Sequence, residues 1–385
     1  MSESVYRAWC EVSLDAITYN LKQFRELASD AKIMAVVKAD AYGHGVQEVS
    51  RTLADSGADA LAVAIPDEAL QLRNSGIDIP ILVLGHTPAE YMGEMTALDI
   101  TPTVYDFSTA KAVSNAAQRQ NKTAKIHVKV DTGMNRLGYP ANAATVDLIA
   151  DLATLPNVEI EGLFTHFSRA DEEDAAYTEM QFARFTAVAD ALARRGISIP
   201  LKHVCNSAAA MRFPHMRLDM IRVGISLYGL YPSEIHYDLP LRPAMQLKSA
   251  IAHIKEVPAG ERISYGGIYT TARNTKVATV PIGYADGYSR LLSGKAKTIV
   301  SGQFAPVLGR ICMDQCMIDV TDVNNISIEE EVVLFGAGQG LSIPIEELAR
   351  IEGTVHYELL CVIGKRVPRC YTQDGRVVEI LNYLV

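Results

Sequence analysis

The chain has 385 residues, a formal net charge of −9 at pH 7, 49% hydrophobic and 21% charged residues, and cysteines at 10, 205, 312, 316, 361 and 370. That length suits two domains rather than one, and an acidic balance without a basic tract excludes a nucleic-acid or anionic-membrane surface. No apolar run approaches the roughly 18 residues of a membrane span, the N-terminus MSESVYRAWCEVSLDAI lacks a basic start followed by an apolar core, and the scattered cysteines are too few for a disulfide scaffold. Together these predict a reduced, cytoplasmic protein.

Residues 5–14 read as a short strand, and residues 1–11 are expected to pack with the C-terminal domain. A helical pattern covers Asp15–Ala28. Apolar runs then end near Val37, Ile65, Leu84, Val104, Val130, Phe164, Val204 and Gly224, with helix-period segments such as Asp67–Asn74, Ala141–Leu155 and Ala175–Arg195 between them. Eight strands alternating with crossover segments predict an α/β domain, a (β/α)8 TIM-type barrel over residues 12–238. The other architecture for such alternation is an open doubly wound sheet, but no G-x-G-x-x-G follows any strand. After Pro240 β-type runs dominate: Gln246–Val257, Thr275–Ile282, Lys297–Val300, Met317–Val320 and Val332–Phe335. They predict a mostly antiparallel β domain over residues 239–385, with the boundary in the proline-bearing stretch Tyr231–Pro243.

In a barrel the active site lies at the carboxyl ends of the strands, and residues of chemical interest recur there. Lys38 ends the first strand, Arg136 follows the fifth, His166 ends the sixth, Asn206 and Ser207 end the seventh, and Arg222 and Gly224 close the eighth. A lysine at a buried strand end loses hydration, which lowers its pKa. The neutral amine is a nucleophile whose product with a carbonyl is a Schiff base. Ser207 offers a hydroxyl and Gly224 a close backbone approach, the parts of a phosphate site. Asn206-Ser207 is equally readable as a helix N-cap, which uses the same N–H groups. Cys312-x-x-x-Cys316 has no matching cluster and reads as buried thiols, so no metal site is expected.

The run Ala35-Val-Val-Lys38-Ala-Asp-Ala-Tyr42-Gly-His-Gly45 resembles the lysine motif that holds pyridoxal 5'-phosphate in the alanine racemase family. Four more stretches are similar to that family: Val130-Asp-Thr-Gly-Met-Asn-Arg136-Leu-Gly138, Gly283-Tyr-Ala-Asp-Gly-Tyr288, Gly309-Arg-Ile-Cys-Met313-Asp-Gln315 and His356-Tyr357-Glu358. Asn135 stands where many members have glycine. The resemblance runs from Trp9 to about Arg369 and implies pyridoxal phosphate as cofactor and alanine as substrate. It implies Lys38 and Tyr265 as catalytic bases, and Tyr42, His166, Asn206, Ser207, Arg222, Gly224, Ile225 and Tyr357 around the cofactor. Arg136 and Met313 would meet the substrate, and Lys129 would be carbamylated so that it orients Arg136.

Racemisation requires proton removal on one face of the α-carbon and return on the other. Lys38 would serve one face and Tyr265 the other, the tyrosine aided by nearby positive charge. Arg222 carries a proton that it does not give up, so it would donate to the pyridine nitrogen and leave the ring a weaker electron sink. His166 either sits against that ring, holds Arg222 or a tyrosine, or fills the core. The resemblance further implies a homodimer with shared active sites, Tyr265 and Met313 reaching in from the second subunit, and a role in supplying D-alanine for peptidoglycan. A decarboxylase of the same fold type would need a carboxylate at the pyridine nitrogen and a triple-glycine loop, both absent from the sequence. A single-barrel pyridoxal-phosphate carrier would lack the β domain. A serine-preferring or broad-specificity racemase is the close alternative, since one extra group in a pocket changes preference by only ~1–3 kcal/mol.

Overall fold

The computed structural model describes residues 6–385. The chain divides into two compact units, one of Ala16–Ala41 with Val46–Arg242, the other of the chain up to Asp15 with Tyr42–Gly45 and Pro243–Val385.

The first unit is built on eight parallel strands: Lys32–Val36, Ala60–Val63, Ile81–Val83, Ile100–Val104, Ala124–Asp131, Val158–Phe164, Leu201–His203 and Met220–Val223. They pair in chain order, and the eighth pairs with the first. Two backbone bonds complete the ring between seventh and eighth, Asp219 N to Lys202 O at 3.1 Å and Arg222 N to Cys205 O at 3.0 Å. Near-continuous burial along these strands is what a parallel sheet covered on both faces requires. Helices including Leu14–Ala28, Pro66–Asn74, Phe107–Gln120, Ala143–Leu152 and Ala176–Arg194 cover it. Asp106 and Asn142 cap two of them, accepting from Thr109 N and Thr145 N. The stretch after the barrel is ordered within this unit. Asn20 accepts from Arg242 N and donates to Arg242 O, both at 2.8 Å, and Tyr231 stacks on Tyr237.

The second unit holds an eleven-stranded sheet. Ala8–Ser13 lies inside it, antiparallel to Met245–Ala250 and parallel to Arg369–Gln373; every other pairing is antiparallel. Two local expectations need correction. Gln246–Val257 is two strands, Met245–Ala250 and His253–Val257, which pair with different neighbours. Helices are also present here, Ile345–Glu352 and His356–Cys361. The first buries Ile345, Leu348 and Ala349 at helical spacing and ends at left-handed Gly353, signals short enough to be lost among strands. No helix among the described residues is long and apolar enough to cross a membrane.

Candidate active site

The first barrel strand delivers Lys38, half-buried, to the mouth. The backbone then turns left-handed without glycine, with φ of 53°, 55°, 54° and 53° at Ala39, Asp40, Ala41 and Tyr42. Left-handed helical geometry costs L-residues roughly 1–2 kcal/mol each, so fixed contacts must hold the turn. Ala41 N donates to Val37 O at 2.9 Å, Val46 N to Asp40 Oδ1 at 2.7 Å, and Ala39 N to Glu68 Oε1 at 2.6 Å. The second oxygen of Glu68 accepts from Ala64 N at 2.7 Å, beyond the second strand. One carboxylate thus ties the lysine turn to the neighbouring strand end. Sequence reasoning missed Glu68; its signal was an acidic residue in the first helical turn after a strand.

Tyr42–Gly45 belongs to the second unit. The Tyr42 and Tyr357 rings lie 6.2 Å apart at 53°. Gly43 and Gly45 have positive φ, and a Cβ at either would lie 2.2 Å from Leu360 O or 1.8 Å from the Tyr371 hydroxyl. The glycines of Tyr-Gly-His-Gly are therefore required by close packing.

At the seventh and eighth strand ends the expected residues come together. Asn206 caps the helix Ser207–Arg212, accepting from Ala209 N at 2.9 Å. Ser207 Oγ accepts from Gly224 N at 3.0 Å, which leaves its own proton to donate elsewhere. Ile225, buried, opens the 3-10 turn Ile225–Tyr228 directly after Gly224. Arg222 is buried and rests on acceptors alone: Thr165 O at 2.7 Å, His203 O at 2.9 Å, Val204 O at 3.1 Å and His203 Nδ1 at 2.8 Å. Burial pushes its pKa down to about 10, so it stays protonated at neutral pH. His166 Nδ1 lies 3.5 Å from Arg222 Nη2. Burial, then Arg222, Arg136, Lys129 and Lys38, hold His166 well below the usual imidazole range and so neutral.

Lys129 is buried within the same cationic group. Burial first, then Arg136 and Arg222, bring it down to about 8. Arg136 is exposed in a turn organised by Asp131, whose Oδ1 accepts from Gly133 N at 2.9 Å and Asn135 N at 3.0 Å. Asn135 has φ of 55°, a region that asparagine tolerates nearly as well as glycine. Asparagine at this position therefore preserves the turn.

Tyr265 and Met313 belong to the second unit and are 67% and 52% exposed. They line one recess with Ser264, Cys312 and Gln315. Ser264 Oγ donates to Arg310 O at 2.6 Å, fixing the turn before Tyr265. A Cβ on Gly283 would lie 2.2 Å from Cys312 O and 2.5 Å from Met313 O, so the first glycine of Gly-Tyr-Ala-Asp-Gly-Tyr packs beneath Met313. Asp286, fully buried, takes Arg7 at 2.5 and 3.0 Å, making that motif a support for the Met313 loop. Burial pushes the Cys316 thiol up to about 12, as expected of an inert core cysteine.

Two family models match the chain: the N-terminal domain of alanine racemase over residues 12–232 and its C-terminal domain over 244–371. The chain belongs to the alanine racemase family. An alanine racemase of Clostridium perfringens is 48% identical over the full length of both chains. The solved alanine racemase of Clostridium difficile superposes with a TM-score of 0.96 at 43% identity, covering all of both chains. That of Bacillus anthracis, solved with bound L-Ala-P, gives 0.93 at 37% identity over 100% of this chain and 99% of that one. The activity is the interconversion of L-alanine and D-alanine, and the expected barrel and antiparallel β domain stand. The second family match, over 244–371, removes the single-barrel carrier as an alternative.

Proposed function

We propose that the chain racemises alanine with pyridoxal 5'-phosphate held at the barrel mouth, Lys38 and Tyr265 acting as the two bases. The observation that carries this reading is the set of buried or half-buried cations Lys38, Lys129 and Arg222 with exposed Arg136, all of which act on one neutral histidine. Such a mouth fits a ligand with anionic phosphate, phenolic oxygen and carboxylate. Ser207, Gly224 and Ile225, with Tyr42 and Tyr357, would hold the phosphate. Arg222 would donate to the ring nitrogen, and Lys38 would bind the cofactor aldehyde. When bound, the cofactor supplies an electron sink that acidifies the α-proton of alanine.

The remaining work falls to the chain. Lys38 takes or returns the α-proton on one face. Tyr265 does so on the other, and Arg136 orients the substrate carboxylate. Neutral His166 provides a partner for Arg222 without adding a further positive charge. Burial and neighbouring cations bring the Lys129 amine down to about 8, and its neutral form would add carbon dioxide with release of a proton to solvent, leaving a carbamate anion. The carbamate would pair with Arg136 in place of repelling it. High exposure of Tyr265 and Met313 supports a homodimer in which each β domain completes its partner's barrel site. Supply of D-alanine for peptidoglycan, in the cytoplasm, is the role that fits.

Borohydride reduction of the purified yellow protein, followed by peptide mapping, tests the reading. The pyridoxyl group is expected on Lys38; a label elsewhere contradicts it. Initial rates with L-serine beside both alanines measure preference, and a serine rate equal to the alanine rate would favour the broad-specificity reading.

A further inference from the structure

A barrel interior is normally filled by layers of branched apolar side chains. Here a string of polar groups runs inside it from Arg222. Arg222 Nη1 meets His203 Nδ1 at 2.8 Å, and His203 Nε2 meets His127 Nδ1 at 2.9 Å. His127 Nε2 meets Glu161 Oε2 at 3.2 Å, and Lys125 Nζ donates to Glu161 Oε1 at 2.6 Å. His127 and His203 are fully buried, and Phe164 stacks on the His203 ring at 4.8 Å and 5°.

The proton positions along this string are forced. A guanidinium only donates, so His203 Nδ1 accepts and its ring proton sits on Nε2. That proton goes to His127 Nδ1, which places the His127 proton on Nε2. The ionised carboxylate of Glu161 only accepts, so it ends the string. Burial holds both rings below the usual imidazole range, Arg222 adding to the effect at His203. Hydrogen bonds from His127 and Lys125 bring Glu161 down to about 2 despite its partial burial.

Two backbone features make room for the string. The fifth and sixth strands step register from Ile126–Ile160 to His127–Gly162, so Glu161 is the extra residue of a β-bulge, which re-aims its side chain. A Cβ at position 162 would lie 2.5 Å from the His127 ring. A bulge and a glycine inside a strand both weaken a sheet, so neither serves barrel stability. Among the described residues no carboxylate touches Arg222 in a salt bridge. Glu161, two rings away, polarises the string without capturing the guanidinium, as hydrogen bonds in series reinforce one another.

We propose that Glu161 is a remote positioning residue for racemisation, acting through His127 and His203 to fix the proton pattern and orientation of Arg222. The proposal rests on the reading that Arg222 faces the cofactor ring nitrogen. The variant Glu161→Gln keeps the shape and one acceptor for His127 but removes the charge.

The test uses holoenzyme with 15N-labelled histidine, signals being assigned through His127→Gln and His203→Gln. In the parent protein both rings should show the neutral Nε2–H signature. An Nδ1–H or doubly protonated ring there overturns the proposal whether or not any variant folds. In Glu161→Gln the two ring signals should shift or broaden, kcat should fall roughly tenfold in both directions, and KM for alanine should stay within about twofold. Unchanged ring signals and kcat overturn the proposal and leave the role of Arg222 standing. Arg222→Lys should alter the absorption of the bound cofactor; an unchanged spectrum overturns the reading of Arg222 and the proposal with it.

Discussion

The two sets of residues assigned to the reaction are held very differently. On the barrel, Arg222 and Ser207 are 3% and 5% exposed, and every hydrogen bond that fixes them comes from their own unit. In the β unit, Tyr265 and Met313 are 67% and 52% exposed, and only the backbone around them is anchored. The barrel half holds the cations Arg222 and Lys129 buried, the kind of preorganisation that favours charge stabilisation. The β half presents large apolar side chains to solvent, a feature that supports the proposed cover by a second subunit. On the proposed reading the barrel set binds the ligand and supplies one base, Lys38, while the β set supplies the other, Tyr265, once covered.

The contrast is broken most severely at the bases themselves. Lys38→Ala should lower kcat by about 10³-fold or more, the scale of losing a positioned acid–base group. Tyr265→Phe should cost a comparable amount while leaving cofactor binding intact. In Tyr265→Phe, solvent deuterium should still enter the α-position of D-alanine through Lys38, while exchange into L-alanine collapses. Equal loss from both enantiomers, measured by NMR, would show that the two sets do not serve separate faces.

A milder probe is Glu68→Gln, which cannot keep acceptors on both sides of the lysine turn. Because slight misplacement of a reacting group is costly, kcat should fall roughly tenfold. Faster amide exchange across residues 38–42 should accompany the loss, and unchanged exchange would show that the left-handed turn holds itself.

The smallest expected effect concerns Lys129. As a free amine its pKa in the fold, about 8, lies below the ordinary lysine value of 10.5. Charge on it would therefore destabilise the fold fully below pH 8, and the penalty would disappear as pH rises from 8 to 10.5. Lys129→Met should then raise Tm at pH 7 if the amine is free, with the gain vanishing by about pH 10.5. A carbamate predicts the reverse sign: Lys129→Met lowers Tm by a few degrees, and removing carbon dioxide lowers the parent Tm below that of the variant.

Much of this arrangement was legible in the sequence because strand ends are marked by abrupt changes of residue type. Val37 to Lys38, Cys205 to Asn206 and Val223 to Gly224 each pass from an apolar run to polar or small residues, and a barrel gathers such points at one mouth. The cap at Asn206 was readable there and the structure keeps it, and Ser207 stands beside Gly224, accepting from its N–H. Glu161, His127 and His203 were not legible. Each is a single polar residue within a strand, and what unites them is a bulge and an empty Cβ position that only the register reveals. The left-handed run Ala39–Tyr42 was hidden for a similar reason, since alanine and aspartate do not advertise positive φ as glycine does. The interleaving of Tyr42–Gly45 with the second unit depends on contacts with Leu360 and Tyr371, more than 300 residues away in the chain.

On the proposed reading the barrel's cationic site is completed by the exposed β surface of a second copy. The most direct measurement mixes two inactive variants, Lys38→Ala and Tyr265→Phe, after dissociation and re-association, with subunit exchange verified by mass. If sites are shared, each heterodimer carries one site with both lesions and one with neither. Random mixing then restores about one quarter of parental activity, since about half the dimers are mixed and each has one intact site of two. If each chain builds its site alone, every site keeps its lesion and mixing restores nothing.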